Sequence, residues 1–208
     1  MKTGAMGRSL RSAVALFLAA TLALGVLYPL VVCGVAQAAF PWRANGSIIE
    51  VDGVKYGSAL VGQSYTGMDH LWGRPTKTDA RTFATKSGES LLWYGPENLS
   101  PASEEFGDVV QERVAAVRAA HPDQGENPVP SELVTASGSG FDPHISPAAA
   151  EYQVGRIAKA KGMDEEEVRA IIRQCTDRPL LGVIGEARVN VLEVNLMLDG
   201  VLKTAINR

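Results

Sequence analysis

Residues 12–42 read SAVALFLAATLALGVLYPLVVCGVAQAAFPW, a run without a single charged side chain. Within it, residues 13–35 are apolar apart from Thr21 and the phenol of Tyr28. A membrane-spanning helix needs roughly 20 consecutive apolar residues, whereas the apolar region of a secretory signal is about 7–15 long. The stretch therefore reads as a retained transmembrane α-helix over residues 12–38. A cleaved signal with Ala36-Gln37-Ala38 at its small-residue site, which would leave a secreted binding protein, is the competing reading. Phe40 and Trp42 follow where interfacial aromatics sit, and Pro29 is tolerable if a neighbouring helix or water takes the carbonyl it frees.

The flanks orient the span. Lys2, Arg8 and Arg11 precede it, while Arg43, Glu50, Asp52 and Lys55 balance one another after it. The positive-inside rule puts residues 1–11 in the cytoplasm and residues 39–208 outside, as one mixed α/β extracytoplasmic domain. The span carries no ionisable residue of the kind that marks ion pathways, so alone it is not expected to conduct. Ala15, Ala19 and Ala23 recur every fourth residue, a small-residue face suited to packing on a partner helix. With a net charge of −3 and no long basic run, nothing points to a nucleic-acid partner. Cys33 and Cys175 lie far apart and are expected to be free.

Beyond the span, Asp52-Gly53 between β-branched runs predicts a β-hairpin over residues 47–61. Residues 62–100 show no clear periodicity and read as a long binding loop. Phe106, Val110, Val114 and Val117 predict a helix that His121-Pro122 stops. A helix is predicted over residues 147–161, with Ser146 as cap and Gly162 as terminator, and another from Asp164, whose partner in a capping box is Glu167. Leu192, Val194, Leu196 and Leu198 alternate with Glu193, Asn195, Met197 and Asp199, which predicts a strand, with a helix as the alternative.

Residues 134–153, VTASGSGFDPHISPAAAEYQ, carry the side chains closest to chemistry. Gly138-Ser139-Gly140 lacks the flanking pattern of a nucleophile elbow, and no phosphate-binding glycine loop with its lysine occurs. Ser139, Asp142 and His144 would be the residues of an extracytoplasmic hydrolase or metal-binding protein, yet His70 and His121 have no metal-ligand spacing to His144. The plainer reading is a loop whose hydroxyls and Asp142 bond local backbone, and no residue is assigned a catalytic role or a metal. Gln153 and Arg156, one turn apart, are placed to meet an anion or a partner carboxylate. Arg74, in the stiff WGRP of residues 72–75, is placed to pair with a partner's acid.

Several stretches in order resemble the C subunit family of Kdp-type high-affinity potassium-transporting ATPases: GVLYPLVVCGVAQAAFPWRANGSII (25–49), LVGQSY (60–65), WGRP (72–75), LVTASGSGFDPHISPAAAEYQVGRIA (133–158) and VNVLEVNLMLD (189–199). Residues 83–100, FATKSGESLLWYGPENLS, depart from the shorter SGGSNLGPTNP-like loop of that family. The resemblance implies a non-catalytic, single-span accessory subunit of an ATP-driven potassium uptake pump in the cell membrane. Its partners would be a channel-like potassium-binding subunit and a P-type ATPase subunit, and it would act as a catalytic chaperone that raises ATP affinity. The family's Ser/Gly-rich stretch with its following glutamine is compared to the signature motif of ABC transporters. In this sequence that stretch runs from Ser137 to Gln153, so Ser137, Ser139 and Gln153, with Arg156 one turn on, are candidate nucleotide or partner contacts, and Asp142, His144 and Arg74 are candidate partner contacts. No cofactor is expected to bind stably, and ATP enters only through the complex. If residues 39–208 are outside, Gln153 does not reach cytoplasmic ATP. Binding the outer face of the partners in one conformation would instead shift ATP affinity through that equilibrium.

Overall fold

The computed structural model describes residues 3–84, 90–179 and 181–206, of which 3–5, 77–84 and 90–94 are described by their backbone alone. The chain divides into two compact units, one ending at Ile48 and one beginning at Ile49.

The first unit is one apolar helical rod. Helix α1 (Thr3–Leu22) runs through a π turn (Ala23–Leu27) into α2 (Tyr28–Ala39), and α3 (Pro41–Ala44) follows. Residues Met6–Ala39 are long and apolar enough to cross a membrane, and none of their most apolar window is buried. The π turn has a local cause. Pro29 has no N–H for the Gly25 carbonyl and its ring crowds that carbonyl. Widening the preceding turn, with the Tyr28 N–H bonded to Ala23 O, accommodates the ring without ending the helix. At the far end Gln37 and Asn45 exchange side-chain amide bonds of 3.2 and 3.0 Å, and Asn45 also donates to Pro41 O at 2.7 Å.

The second unit is mixed α/β, as expected. Strands β1 (Ile48–Val51) and β2 (Val54–Ser58) form the predicted hairpin, with positive φ at Asp52 (50°) and Gly53 (80°). Residues 62–100 correct the sequence reading. They contain β3 (Lys77–Ala84) and β4 (Ser90–Gly95), an antiparallel pair whose register shifts between Asp79 and Phe83. The strand formers there, Thr78, Thr82, Phe83, Trp93 and Tyr94, sit in short runs among polar residues, so no period emerges. Part of the divergent 83–100 loop, residues 85–89, lies outside the described residues.

Helix α4 (Glu104–Ala120) starts where Ser103 Oγ accepts the Phe106 N–H and buries Val117 and Ala120. The helix predicted over 147–161 is instead two: α5 (Pro147–Glu151), capped by Ser146, and α6 (Val154–Lys161), ended by Gly162 at φ 65°. Helix α7 (Glu165–Gln174) opens with the predicted Asp164–Glu167 capping box. Strands β5 (His144–Ile145), β6 (Thr176–Asp177) and β7 (Arg188–Asn190) form an antiparallel sheet in the order β5-β7-β6.

The predicted C-terminal strand is a helix, α8 (Val191–Leu198). Its alternation misleads because Glu193 and Asn195, read as the solvent face, are buried with the leucines and valines. A helix buried all round has no polar stripe from which to read a period. The core gathers Leu71, Val117, Leu133, Ile145, Ala149, Val154, Ile157, Val168, Ile172, Val189, Val191 and Val194. Cys33 is exposed, whereas Cys175 is buried with its thiol directed at Met197 Sδ at 3.4 Å, and the two form no disulfide with each other.

Candidate functional site

The break between α5 and α6 positions one of the most connected side chains of the predicted set. Gln153 stands at the N-cap of α6, its N–H bonded back to Ala150 O (3.1 Å), and is 0 % exposed. Its Oε1 accepts the Trp72 N–H at 2.8 Å, and its Nε2 donates to Trp72 O at 3.0 Å and to Ala149 O at 3.2 Å. Asn195 on α8 treats the neighbouring residue alike, accepting the Leu71 N–H at 2.7 Å and donating to Leu71 O at 3.0 Å. Asn190 caps α8 through the Glu193 N–H and donates to Ala59 O at 2.8 Å. Three buried carboxamides thus satisfy the main chain of a segment that has no strand partner there.

Arg156, one turn after Gln153, completes the clamp. Its guanidinium donates to His70 O (2.9 Å), to Gly67 O (3.2 Å) and to Met68 O, and also to Gln153 Oε1 (2.8 Å). Its Nε donates to His121 Nε2 at 2.8 Å, and its plane lies 4.5 Å above the Trp72 ring centroid. His121 Nδ1 meets Val117 O at 2.7 Å, which fixes the tautomer with the proton on Nδ1. Burial lowers the His121 pKa first, and the Arg156 charge lowers it further, against the Val117 carbonyl and Asp123. Burial likewise brings Arg156 down to about 10, with Asp69 and Asp123 opposing. Beside Arg156 an open cleft of about 880 Å³ is lined by Met68, Asp123, Lys159 and Glu165.

At the edge of the same segment His70 lies between two carboxylates, Nδ1 at 2.9 Å from Asp69 and Nε2 at 3.0 Å from Asp199. Asp69, His70 and Asp199 have the spacing of a metal-binding group. Lys161 already bridges the two carboxylates, 2.7 Å from Asp199 and 3.8 Å from Asp69. Burial raises the Asp199 pKa, but hydrogen bonds from Lys161 and His70 outweigh it and hold the carboxyl below its ordinary value.

The 134–144 loop is closed on itself as its hydroxyls predict. Ser137 Oγ accepts the Gly140 N–H at 2.9 Å, and Ser139 Oγ accepts the Phe141 N–H at 3.2 Å while facing Ser137 Oγ at 3.3 Å. Asp142 accepts the His144 N–H at 3.0 Å, and its other oxygen is 3.9 Å from Arg74. Arg74 also donates to Ala136 O at 3.0 Å. The fold therefore brings Arg74, Asp142 and His144 together and joins WGRP to this loop. Gly140 makes that approach possible: at φ 74°, an added Cβ would stand 2.2 Å from the Gly95 carbonyl carbon.

Of the predicted contact residues, Ala15, Ala19 and Ala23 lie exposed on the apolar helix, Ala23 opening its π turn. Gln153 and Arg156, predicted as surface contacts, are buried instead, with their polar atoms on internal partners. Asn190, Asn195, Trp72 and His121 were not singled out by the sequence. Trp72, Asn190 and Asn195 lie in stretches that carry the family resemblance, but their spacing gives no role, because for the asparagines it depends on backbone brought from more than a hundred residues away.

The model of the family described as KdpC, K+-transporting ATPase, c chain, matches residues 10–200. The potassium-transporting ATPase KdpC subunit of Clostridium botulinum (strain Alaska E43 / Type E3) is 50% identical over 191 residues, covering 92% of this chain and 95% of that protein. That of Clostridium perfringens (strain ATCC 13124) is 47% identical over 194 residues, covering 93% and 98%. That of Polaromonas naphthalenivorans (strain CJ2) is 48% identical over 195 residues, covering 93% and 95%. Matched along nearly its whole length, the chain belongs to the KdpC family, the c chain of K+-transporting ATPases.

Proposed function

We propose that this chain is the non-catalytic, single-span accessory subunit of an ATP-driven potassium uptake pump. Residues 1–11 lie in the cytoplasm, 12–38 cross the membrane, and 39–208 form the extracytoplasmic domain. The chain assembles with a channel-like potassium-binding subunit and a P-type ATPase subunit, and it raises ATP affinity by favouring one conformation of the complex. The basic flank before the span and the family support the first part. The observation that carries the second is the burial of Gln153 and Arg156. A carboxamide whose oxygen takes the Trp72 N–H and Arg156, and whose nitrogen serves two carbonyls, has no edge left for a nucleotide. A coupling through conformation needs no such edge.

Two experiments test the reading. Removing the chain from the complex is expected to abolish high-affinity uptake or raise the KM for ATP; unchanged uptake and KM overturn it. Glu126, whose side chain is 99% exposed, is the labelling site for sidedness. A membrane-impermeant thiol reagent is expected to reach Glu126→Cys from outside intact cells, and labelling only after lysis reverses the orientation. The competing hydrolase reading requires Ser139 Oγ as nucleophile, but that oxygen is taken up by Phe141 and Ser137 within its own turn. His144→Ala is therefore expected to leave no hydrolytic activity to lose.

A further inference from the structure

Two arginines converge on one stretch of main chain. Arg74, held between Gly73 and Pro75, donates from Nε and Nη2 to Thr135 O at 3.4 Å and from Nη2 to Ala136 O at 3.0 Å. Arg113 on α4 donates from Nη1 to Val134 O at 3.3 Å and pairs with Glu97 through both Nη atoms. Residues 134, 135 and 136 are consecutive, so the two guanidinium groups are neighbours. Each has five N–H bonds to give, and these contacts do not use them all. Among the described residues Arg74 Nη1 has no hydrogen-bond acceptor, since Asp142 lies 3.9 Å from it, and neither has Arg113 Nε. Both side chains are only 24% exposed, so their charge is screened less than at an open surface.

The same two arginines line a cavity of about 290 Å³, together with Ser64, Thr66, Trp72 and Thr76. Ser64 Oγ and Thr76 Oγ1 are 2.8 Å apart, so one hydroxyl donates to the other and the second keeps its proton to give. No carboxylate is among the described residues of the lining; Glu97 and Asp142 lie outside it. Glu97 balances Arg113, but Arg74 has only the looser contact with Asp142, which leaves the lining positive.

We propose that this cavity binds a phosphate-type oxyanion, carried by a free phosphate compound or by a phospholipid headgroup. The lining is made of donors and positive charge, which selects a ligand made of acceptors and negative charge. The donors reach in from three segments, 64–66, 74–76 and α4. A tetrahedral oxyanion accepts on every side, whereas a planar carboxylate accepts mainly in its own plane. The volume lies at the lower end of ligand pockets, roughly 300 Å³, which suits one phosphate group and little more. The bound anion ties the WGRP segment to α4 beside the 134–144 loop.

The test uses the full chain in detergent and phosphate-free buffer at constant ionic strength. Inorganic phosphate is titrated in one arm, and dihexanoyl phosphatidylglycerol below its micellar concentration in the other. Binding is read by calorimetry and by the rise in melting temperature that a ligand of the folded state produces. Saturable binding in the first arm identifies a free phosphate compound, and binding in the second arm alone identifies a headgroup. Acetate at equal ionic strength is expected to give no such rise. Arg74→Gln is expected to weaken binding by roughly tenfold, the loss of one charge-assisted contact. Ala116 lines the cavity from an exposed position one turn after Arg113. Ala116→Met fills the space without removing a donor and keeps a good helix former. It is expected to weaken binding as much while the melting temperature without ligand stays at the wild-type value, so it serves even where Arg74→Gln does not fold. Absence of binding in both arms, an equal response to acetate, or binding undiminished by Ala116→Met overturns the proposal. The accessory-subunit reading is untouched by any of these outcomes, because no partner takes part.

Discussion

Asn195 and Leu71, separated by 124 positions in sequence, exchange two hydrogen bonds: the asparagine accepts the leucine's N–H at 2.7 Å and donates to its C=O at 3.0 Å. This is the pairing one strand residue makes with another, supplied here by a side chain. It fixes the sharpest expectation for stability. Asn195→Asp keeps the acceptor but loses the donor, and sets a buried carboxylate against the Leu71 carbonyl. A loss of about 3 kcal/mol is expected, or roughly 6–12 °C in apparent melting temperature of the full chain in detergent. A melting temperature within a degree or two of wild type contradicts the pairing.

Gln153 makes the same exchange with Trp72, and here stability separates two meanings of one residue. Gln153→Glu retains the acceptor for Trp72 and Arg156 but cannot donate to Trp72 O or Ala149 O. It is expected to lower the melting temperature while leaving the ATP KM of the complex near wild type at temperatures where the variant stays folded. A KM raised severalfold in a complex with an unchanged melting curve would instead make Gln153 a nucleotide contact.

Much of this architecture was legible in the sequence for stated reasons. The uncharged run over 12–42, the Asp52-Gly53 turn and the Asp164–Glu167 box each act through neighbours in the chain, and each appeared where its local chemistry placed it. What escaped is the segment from Ala59 to Arg74, because its main chain is satisfied by Asn190, Asn195, Gln153 and Arg156 rather than by a strand, so it leaves no period. The same fact hid α8: Asn195 looked like a solvent residue because its partner, Leu71, is distant. Of the candidate site, Arg74, Asp142 and His144 were named and are brought together, whereas the burial of Gln153 and Arg156 is a tertiary fact that no spacing reveals.

The two glycines flanking Ser139 are expected to behave oppositely. Gly140→Ala puts a Cβ within 2.3 Å of the Gly95 carbonyl group at a φ of 74°, so either the 95–96 turn or the 137–140 turn must move. A cost of roughly 1–3 kcal/mol is expected, measured by denaturant titration of the full chain. Gly138→Ala meets nothing within 4 Å and is expected to be neutral. Equal effects at the two positions would contradict the close approach of these loops.

His121 gives the pH dependence its sign. The ring is buried, and its Nε2 accepts from Arg156, an acceptor that exists only while the imidazole is neutral. Burial, with the Arg156 charge adding to it, holds the folded-state pKa below the ordinary value of 6.5. In that interval the unfolded chain binds a proton that the folded chain does not, so stability rises with pH. This contribution is fully present above pH 6.5 and is lost as pH falls from there towards the folded-state value. Asp199, held below its ordinary value of 3.8, weakens the fold only at still lower pH, so the two regions separate. Melting temperatures of the full chain are therefore expected to fall between about pH 7 and pH 5, and His121→Asn is expected to flatten that slope while lowering stability at pH 7.5. Asparagine has no group that titrates in this range, so a slope unchanged in the variant would assign the pH dependence to another residue.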